Sequence, residues 1–104
     1  MTWEKLQIFI NEEYKRLKSS KLKKDKEILV RLVKINEEVG ELCGVALNSM
    51  GLARKEKIKT FKKEQVEDEL ADVIFTTLLL AKSLDIDMKK ALAEKIKIIV
   101  ERFK

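Results

Sequence analysis

The sequence predicts an all-α fold, a four-helix bundle that oligomerisation completes. Apolar residues recur at steps of three and four along most of the chain, the spacing of an amphipathic helix. The chain has no proline and only three glycines, too few turn-forming residues for a sheet protein with many tight turns. Its 104 residues fit a single domain over residues 1–104. Four predicted helices account for nearly all of this length.

The first two helices are predicted on either side of a short basic segment. Thr2 is expected to be the N-cap of the first, which carries an apolar stripe of Trp3, Leu6, Ile10 and Leu17. Asp25 is expected to be the N-cap of the second. That helix carries the longest stripe of the chain, made of Ile28, Leu32, Ile35, Val39, Leu42 and Ala46. The residues from Asn48 to Gly51 are expected to end it.

The last two helices follow a basic segment, residues 52–63, that is predicted to be a loop. The third is expected over residues 64–84, with these residues facing inward: Val66, Leu70, Val73, Thr77, Leu80 and Leu84. Asp87 is the expected N-cap of the last helix, whose stripe contains Leu92, Ile96, Ile99 and Phe103. The third helix is apolar almost all round, and three other helices can hardly cover it. We therefore expect a homodimer or a homotetramer.

The composition restricts the chemistry that is open to this chain. Histidine is absent, which excludes Ser-His-Asp and Cys-His catalysis and histidine zinc sites. The single cysteine, Cys43, excludes an internal disulfide. Residues 1–20 lack the apolar run of a signal peptide, and no stretch is long enough to cross a bilayer, so we expect a cytoplasmic protein with no membrane partner.

Acidic residues are concentrated in two windows that contain no lysine or arginine. The windows span residues 35–53 and 64–81, and they hold eight of the eighteen acids of a chain whose net charge is +5. Each contains two acids three residues apart, Glu38 and Glu41 in one and Glu69 and Asp72 in the other. Residues three apart are neighbours on a helix face, so antiparallel packing of the two helices brings four carboxylates together.

Such a cluster needs a compensating charge. Two carboxylates about 5 Å apart repel by roughly 3 kcal/mol at an effective dielectric near 20. A divalent cation is the simplest compensation, and an all-oxygen site suits Mg²⁺, with Mn²⁺ as the alternative. Either acid pair alone is most often a solvated helix face. The matched pairs and the exclusion of bases favour the metal site.

These residues resemble the motif of the MazG-like, all-α nucleotide pyrophosphohydrolases. That motif is Glu-Glu-x-x-Glu on one helix and Glu-x-x-Asp on the next, here residues 37–41 and 69–72. The resemblance covers about residues 28–103. It implies Mg²⁺-dependent hydrolysis of a nucleoside triphosphate between its α- and β-phosphates, which gives a monophosphate and pyrophosphate. Phosphoribosyl-ATP pyrophosphohydrolases share the scaffold but typically carry a histidine that this chain lacks.

The resemblance also implies residue roles. The metal ligands would be Glu38, Glu41, Glu69 and Asp72, with Glu37 and Glu38 as catalytic residues that orient water or a substrate group. Lys95 matches the family lysine that binds the phosphates, and Arg102 could assist it. The fourth position after Lys95 is usually Asn or Arg in the family, whereas this chain has Ile99.

Other residues have two interpretations each. Trp3 could stack on a nucleobase, although such an aromatic is more often a core residue. Asn48 could contact a sugar or base, or cap its helix. The basic loop could fold over a triphosphate or keep the surface soluble; its residues are Arg54, Lys55, Lys57 and Lys59.

Two other functions remain open at this point. One is a non-enzymatic helical module that binds nucleic acid or a partner protein through the basic segments. Against it, the acidic windows repel phosphate and few aromatics are available to stack on bases, so we expect no nucleic-acid partner. The other is a catalytically decayed member of the family, which the replacement at Ile99 keeps open.

Overall fold

A computed structural model describes residues 1–52 and 63–104. These residues form four α-helices and no β-strand. The helices are α1 (Trp3–Leu17), α2 (Lys24–Ser49), α3 (Lys63–Ser83) and α4 (Met88–Arg102). The all-α prediction is therefore confirmed for the described residues.

The helix ends follow the sequence signals at two of three predicted N-caps. The Thr2 hydroxyl accepts a hydrogen bond from the Lys5 amide at 3.2 Å, and Asp87 accepts one from the Lys90 amide at 3.1 Å. The prediction for Asp25 was wrong. Helix α2 begins one residue before it, with Lys23 as an N-cap that makes no side-chain hydrogen bond. Asp25 lies in the first turn instead, where an acid also favours the helix because the free amides there carry partial positive charge.

Helix α3 is the centre of the packing, with α2 and α1 both lying against it. The core cluster is Ile10 of α1 with Leu78 and Leu79 of α3, and Trp3, Leu6, Tyr14, Phe75 and Met88 pack around it. The predicted inward face of α3 was only partly right, since Leu70 and Leu84 are exposed. The residues of α3 that contact α1 lie in the C-terminal half of α3, so α1 leaves Leu70 uncovered. Leu84 is exposed because it follows the end of α3.

A buried carboxylate ties the end of α1 to the start of α2. The Tyr14 hydroxyl lies 3.0 and 3.2 Å from the two carboxylate oxygens of the buried Glu27. Lys24 Nζ lies 3.2 Å from Glu27 and 3.1 Å from the Tyr14 hydroxyl. Burial raises the pKa of Glu27, but the hydrogen bonds from Lys24 and Tyr14 outweigh it, so the net pKa is lowered. Glu27 therefore stays ionised and fixes the angle between the two helices.

Helix α4 projects from the other three. Its contacts with the rest of the described chain are in its first turn, where Met88 packs against the core cluster and Lys89 Nζ lies 3.5 Å from Glu4. Every residue from Lys89 to Lys104 is exposed. Within one copy the packed unit is thus three helices, and completion of the bundle by another subunit stays a prediction.

No helix within the described ranges combines the length and the apolar character that crossing a bilayer would require.

We expect Tyr14→Phe to lower the free energy of unfolding by about 1 kcal/mol, because it removes the neutral donor to a buried carboxylate. The lost hydrogen bond also moves the pKa of Glu27 upward. The stability that comes from its lowered pKa is present above the ordinary pKa of a glutamic acid and is lost as pH falls, so the variant should lose stability at a higher pH than the wild type. Urea denaturation from pH 3 to pH 7 measures both effects. Glu13→Gln, which breaks only an exposed ion pair with Arg16, is the control and should change little.

Candidate metal centre

Carboxylates from α2 and α3 converge as the sequence predicts. One oxygen each from Glu38, Glu41 and Glu69 lies within 4.8 Å of the others. A second group with the same spacing contains Asp68, Glu69 and Asp72. Glu69 belongs to both groups, so the five carboxylates form one acidic cluster, made of Glu38, Glu41, Asp68, Glu69 and Asp72.

Helix geometry explains the convergence. On each helix the two acids are three residues apart, and at about 100° per residue they lie side by side on one face. The α2–α3 interface turns those two faces toward each other. Glu38, Glu69 and Asp72 are half-buried at the interface, whereas Glu41 and Asp68 are exposed.

Among the described residues, burial and like charges dominate the electrostatics of the cluster. Burial and then repulsion from Glu41 and Asp72 raise the pKa of Glu38. Burial, again followed by the neighbouring carboxylates Glu41 and Asp72, raises the pKa of Glu69. The pKa of Asp72 is raised by burial, then by Asp68 and Glu41. Ionisation of Glu38, Glu69 and Asp72 is therefore less favourable than that of isolated carboxylates.

The cluster also has unused ligand atoms. Glu38 Oε2 and Glu69 Oε2 are both buried from solvent and have no hydrogen-bond partner. Within residues 1–52 and 63–104 no lysine or arginine forms an ion pair with any of the five acids. Buried ionised oxygens without a donor cost several kcal/mol unless a cation or proton compensates them. Hard oxygen donors at this spacing suit Mg²⁺ or Mn²⁺, so the residues present fit the predicted metal.

An open cavity of about 640 Å³ adjoins the cluster along α2. We call it the acidic cavity; it is lined by Glu37, Gly40, Glu41, Gly44, Val45, Asn48 and Glu69. The Asn48 side chain caps no helix among the described residues, and its Oδ1 is buried without a hydrogen-bond partner. The amide oxygen of Asn48 thus lies about two helical turns from Glu41 without a hydrogen-bond partner.

Glu37 lies beside the cluster and outside it. Its carboxylate pairs with Lys34 at 3.1 Å on the exposed side of α2, and it lines the acidic cavity without joining either ligand group. Its predicted catalytic role stays a prediction.

The other predicted substrate residues are not near the cluster in one copy of the chain. Lys95 and Arg102 are exposed on the projecting α4, without an ion pair in the described part of the chain. Trp3 lines a different cavity of about 430 Å³, together with residues of the α3–α4 connection. The basic loop with Arg54, Lys55, Lys57 and Lys59 lies outside the described residues.

Sequence reasoning did not assign Asp68 to the site. The signal was present, since Asp68 lies four residues before Asp72 and therefore on the same face of α3. The family motif does not include that position.

Comparison with known proteins adds one finding to this geometry. The family model described as MazG-like matches residues 33–103, which includes α3, α4 and the acidic part of α2. The chain belongs to the MazG-like family. The matched range contains every carboxylate of the acidic cluster, and it agrees with the resemblance seen in the sequence. No curated protein and no solved structure matches the chain significantly.

Because the acidic cluster has uncompensated carboxylates, we expect a divalent cation to stabilise the protein. Mg²⁺ or Mn²⁺ at 100 times its dissociation constant should add about 2.7 kcal/mol to the free energy of unfolding. Differential scanning calorimetry at pH 7.5, with and without chelator, measures this. The gain should shrink as pH falls, because protonated carboxylates bind cations poorly.

The variant Glu69→Gln distinguishes the effect of carboxylate repulsion on stability from the effect of metal binding. Because its pKa is raised in the folded state, ionised Glu69 lowers the free energy of unfolding. This destabilisation is absent below the ordinary pKa of a glutamic acid and grows as pH rises through the folded-state pKa. The metal-free variant should therefore be more stable than the wild type at pH 7.5, yet gain less from the cation. Glu67→Gln, on the far side of α3, is the control. A wild type that gains nothing from either cation would contradict the metal site.

Proposed function

We propose that this protein is a Mg²⁺-dependent nucleoside triphosphate pyrophosphohydrolase, which cleaves an NTP or dNTP between the α- and β-phosphates. The products are a nucleoside monophosphate and pyrophosphate. The observation that carries the proposal is the acidic cluster, in which carboxylates of two helices converge without a compensating base in residues 1–52 and 63–104. Membership of the MazG-like family supports it.

The first step of this proposal is cation binding by the acidic cluster. Glu38, Glu41, Glu69 and Asp72 would hold the cation, and Asp68 extends the ligand set on α3. When bound, Mg²⁺ neutralises charge on the phosphates and makes a water molecule more acidic. The two unpartnered oxygens of Glu38 and Glu69 lie between the helices, where binding a cation removes the penalty of leaving them buried and ionised.

Glu38 also suits the handling of the attacking water. Its carboxylate lies within the acidic cluster, so it could accept a proton from a water molecule held beside the cation. Glu37 lines the acidic cavity one residue away and could orient the water or a substrate group. Hydrolysis of a phosphoanhydride depends mainly on positioning and charge neutralisation, which carboxylates fixed on two packed helices provide.

The acidic cavity is the proposed place for the sugar and base. Gly40 and Gly44 leave open space on this side of α2, since a Cβ added at either meets nothing within 4 Å. A flat ring could lie against that wall. The free amide of Asn48 lies farther along the same cavity and could hydrogen-bond to the sugar or to the edge of the base.

The central test is pyrophosphate release from a panel of canonical, deoxy and damaged nucleoside triphosphates with Mg²⁺. We expect pyrophosphate release from at least one nucleotide. The rate should fall by about 100-fold or more in Glu41→Gln and in Asp72→Asn, because each substitution weakens binding of the cation that neutralises the phosphate charge. Glu67→Gln should leave the rate unchanged. Circular dichroism would show that the variants keep their helices.

Other outcomes of the same assay would contradict the proposal. Release of inorganic phosphate in place of pyrophosphate would show cleavage at another bond. No turnover of any nucleotide would favour a decayed enzyme, and tight binding of nucleic acid by the same preparation would favour the binding module.

We expect Asn48→Ala to raise KM for the preferred nucleotide by about 3- to 10-fold, the value of one hydrogen bond, with kcat nearly unchanged. Asn36→Ala is the matched control, because Asn36 lies on α2 and is exposed outside the cavity. Steady-state kinetics on both variants measure the difference. An equal effect of the two substitutions would remove Asn48 from the substrate site.

A further inference from the structure

A cavity of about 430 Å³ lies where the start of α1 meets the turn between α3 and α4. We call it the corner cavity; it is lined from these three elements by Trp3, Lys82 and Asp85 among others. Ala81, which also lines it, lies about 14 Å farther along α3 than Asp72 and about 180° around the helix from it. The corner cavity therefore lies on a different face of α3 from the acidic cluster.

The corner cavity has an aromatic wall and an apolar lining. Trp3 is half-buried, and it both packs against the core cluster and lines the cavity. Leu78 and Ala81 are buried, and Met88 adds a third apolar side chain to the lining. An indole ring stacks favourably on another planar ring, including the bases of nucleotides. This part of the cavity therefore suits a planar ring.

Two lysines give the corner cavity a place for an anion. Lys82 is half-buried in the last turn of α3, and it forms no ion pair in the described part of the chain. Lys89 lines the cavity from the first turn of α4, with a 3.5 Å contact to the exposed Glu4. A lysine ammonium binds phosphate as a point charge. Lys82 thus offers a cation that the described residues leave without a counter-charge.

The corner cavity also contains hydrogen-bond acceptors. Gln7 donates its side-chain amide to Asn11 at 3.1 Å, so its carbonyl oxygen is available to accept. Asp87 is occupied as the N-cap of α4, where it accepts from the Lys90 amide. Asp85 is exposed and forms no ion pair with a described residue. Carboxylates are the groups with which dinucleotide-binding folds bind the hydroxyls of ribose.

The turn after α3 does not by itself require an aspartate. Asp85 has a φ of 53°, the left-handed conformation that glycine favours at a helix end. The Ile86 amide donates to the Ala81 carbonyl at 2.9 Å. The Asp85 amide donates to the Lys82 carbonyl at 3.2 Å, which completes a Schellman motif. Glycine would form this turn with less strain, whereas aspartate brings a carboxylate to the corner cavity.

We propose that the corner cavity binds a nucleoside monophosphate, with the base against Trp3, the phosphate at Lys82 and the ribose hydroxyls at Asp85. A planar ring, an anion and a sugar diol are the three groups for which the lining provides partners, and Lys89 adds a second cation. The volume lies in the range of about 300–1,000 Å³ that small-molecule sites have. The site uses none of the acidic cluster, so it does not depend on the proposed hydrolysis.

The fluorescence of Trp3 tests the proposal, because Trp3 is the only tryptophan of the chain. The full chain is titrated with AMP, GMP, CMP and UMP in the presence of chelator, so that no cation holds phosphate at the acidic cluster. We expect saturable quenching by at least one of them, since a base stacked on the indole quenches its emission. The matching nucleoside, which lacks the phosphate, should bind about 10-fold more weakly. No quenching by any of the four at millimolar concentration overturns the proposal.

A matched pair of lysine variants tests the phosphate contact. Lys82→Ala should weaken binding of the nucleoside monophosphate by about 10-fold and leave the affinity for the nucleoside unchanged, because only the former carries the phosphate. Lys90→Ala removes the same charge from an exposed side chain outside the corner cavity, and it should change neither affinity. Equal effects of the two substitutions overturn the proposal.

Asp85→Gly tests the sugar contact in a variant that should fold as well as the wild type. Because glycine adopts a φ of 53° without strain, stability in urea should not fall. The affinity for the nucleoside monophosphate should fall about 3- to 10-fold through loss of the hydrogen bonds to ribose. Phenyl phosphate, which has a ring and an anion but no sugar, should bind both proteins equally. Unchanged binding of the nucleotide to Asp85→Gly, or phenyl phosphate that binds the wild type as tightly as the nucleotide, overturns the proposal.

Glu69→Gln separates the corner cavity from the acidic cavity and from the proposed function. In chelator this variant should bind the nucleoside monophosphate as the wild type does, with one nucleotide per chain by isothermal titration calorimetry. Binding that changes with Glu69→Gln assigns the nucleotide to the acidic cavity and overturns the proposal. A wild type that hydrolyses nucleoside triphosphates without quenching by any monophosphate overturns the corner site alone. Quenching that depends on Lys82 in a chain without hydrolysis supports the corner site and counts against the hydrolase alone.

Discussion

The repulsion among carboxylates at the α2–α3 interface is the constraint on which the rest of this molecule depends. The same packing that forms the main helix pair holds Glu38, Glu69 and Asp72 half-buried, where water screens their charges less than it would at an open surface. Burial, followed by this repulsion, raises the pKa of all three carboxylates. Keeping these side chains ionised costs stability, and the proposed cation would offset that cost.

The acidic cluster could be predicted from sequence because helix geometry leaves little freedom. Two acids three residues apart must share a face, and a window without bases has no internal partner for them. Asp68 was open to the same reasoning, since its group contains only residues of α3 and Asp68 lies about one turn before Asp72. The N-cap at Asp25 failed for a different reason: the residue type favours a cap, but the path of the preceding segment decides where the first helical turn closes.

The apolar pattern predicts which helix faces are buried, but it does not show which element or which copy of the chain covers them. The stripe on α4 is as regular as those on α1 and α2, yet it is exposed in a single copy of the chain. Leu70 shows the same limit inside α3, where the stripe continues beyond the part that α1 covers. The periodicity of apolar residues predicts that a helix face packs against another surface. Whether the contact comes from the same chain or from another copy depends on chain lengths and connections, which no local pattern encodes.

Ile99 connects these two lines of argument. Where the family resemblance leads one to expect a polar residue, this chain has an isoleucine that belongs to the apolar stripe of α4. A polar side chain there would lie beside Lys95 and Arg102, whereas isoleucine adds apolar surface to the exposed stripe of α4. Burying that stripe against another copy of the chain would recover apolar surface that a single copy leaves in water. The replacement therefore agrees with the predicted homo-oligomer, and it is not by itself a sign of a decayed enzyme.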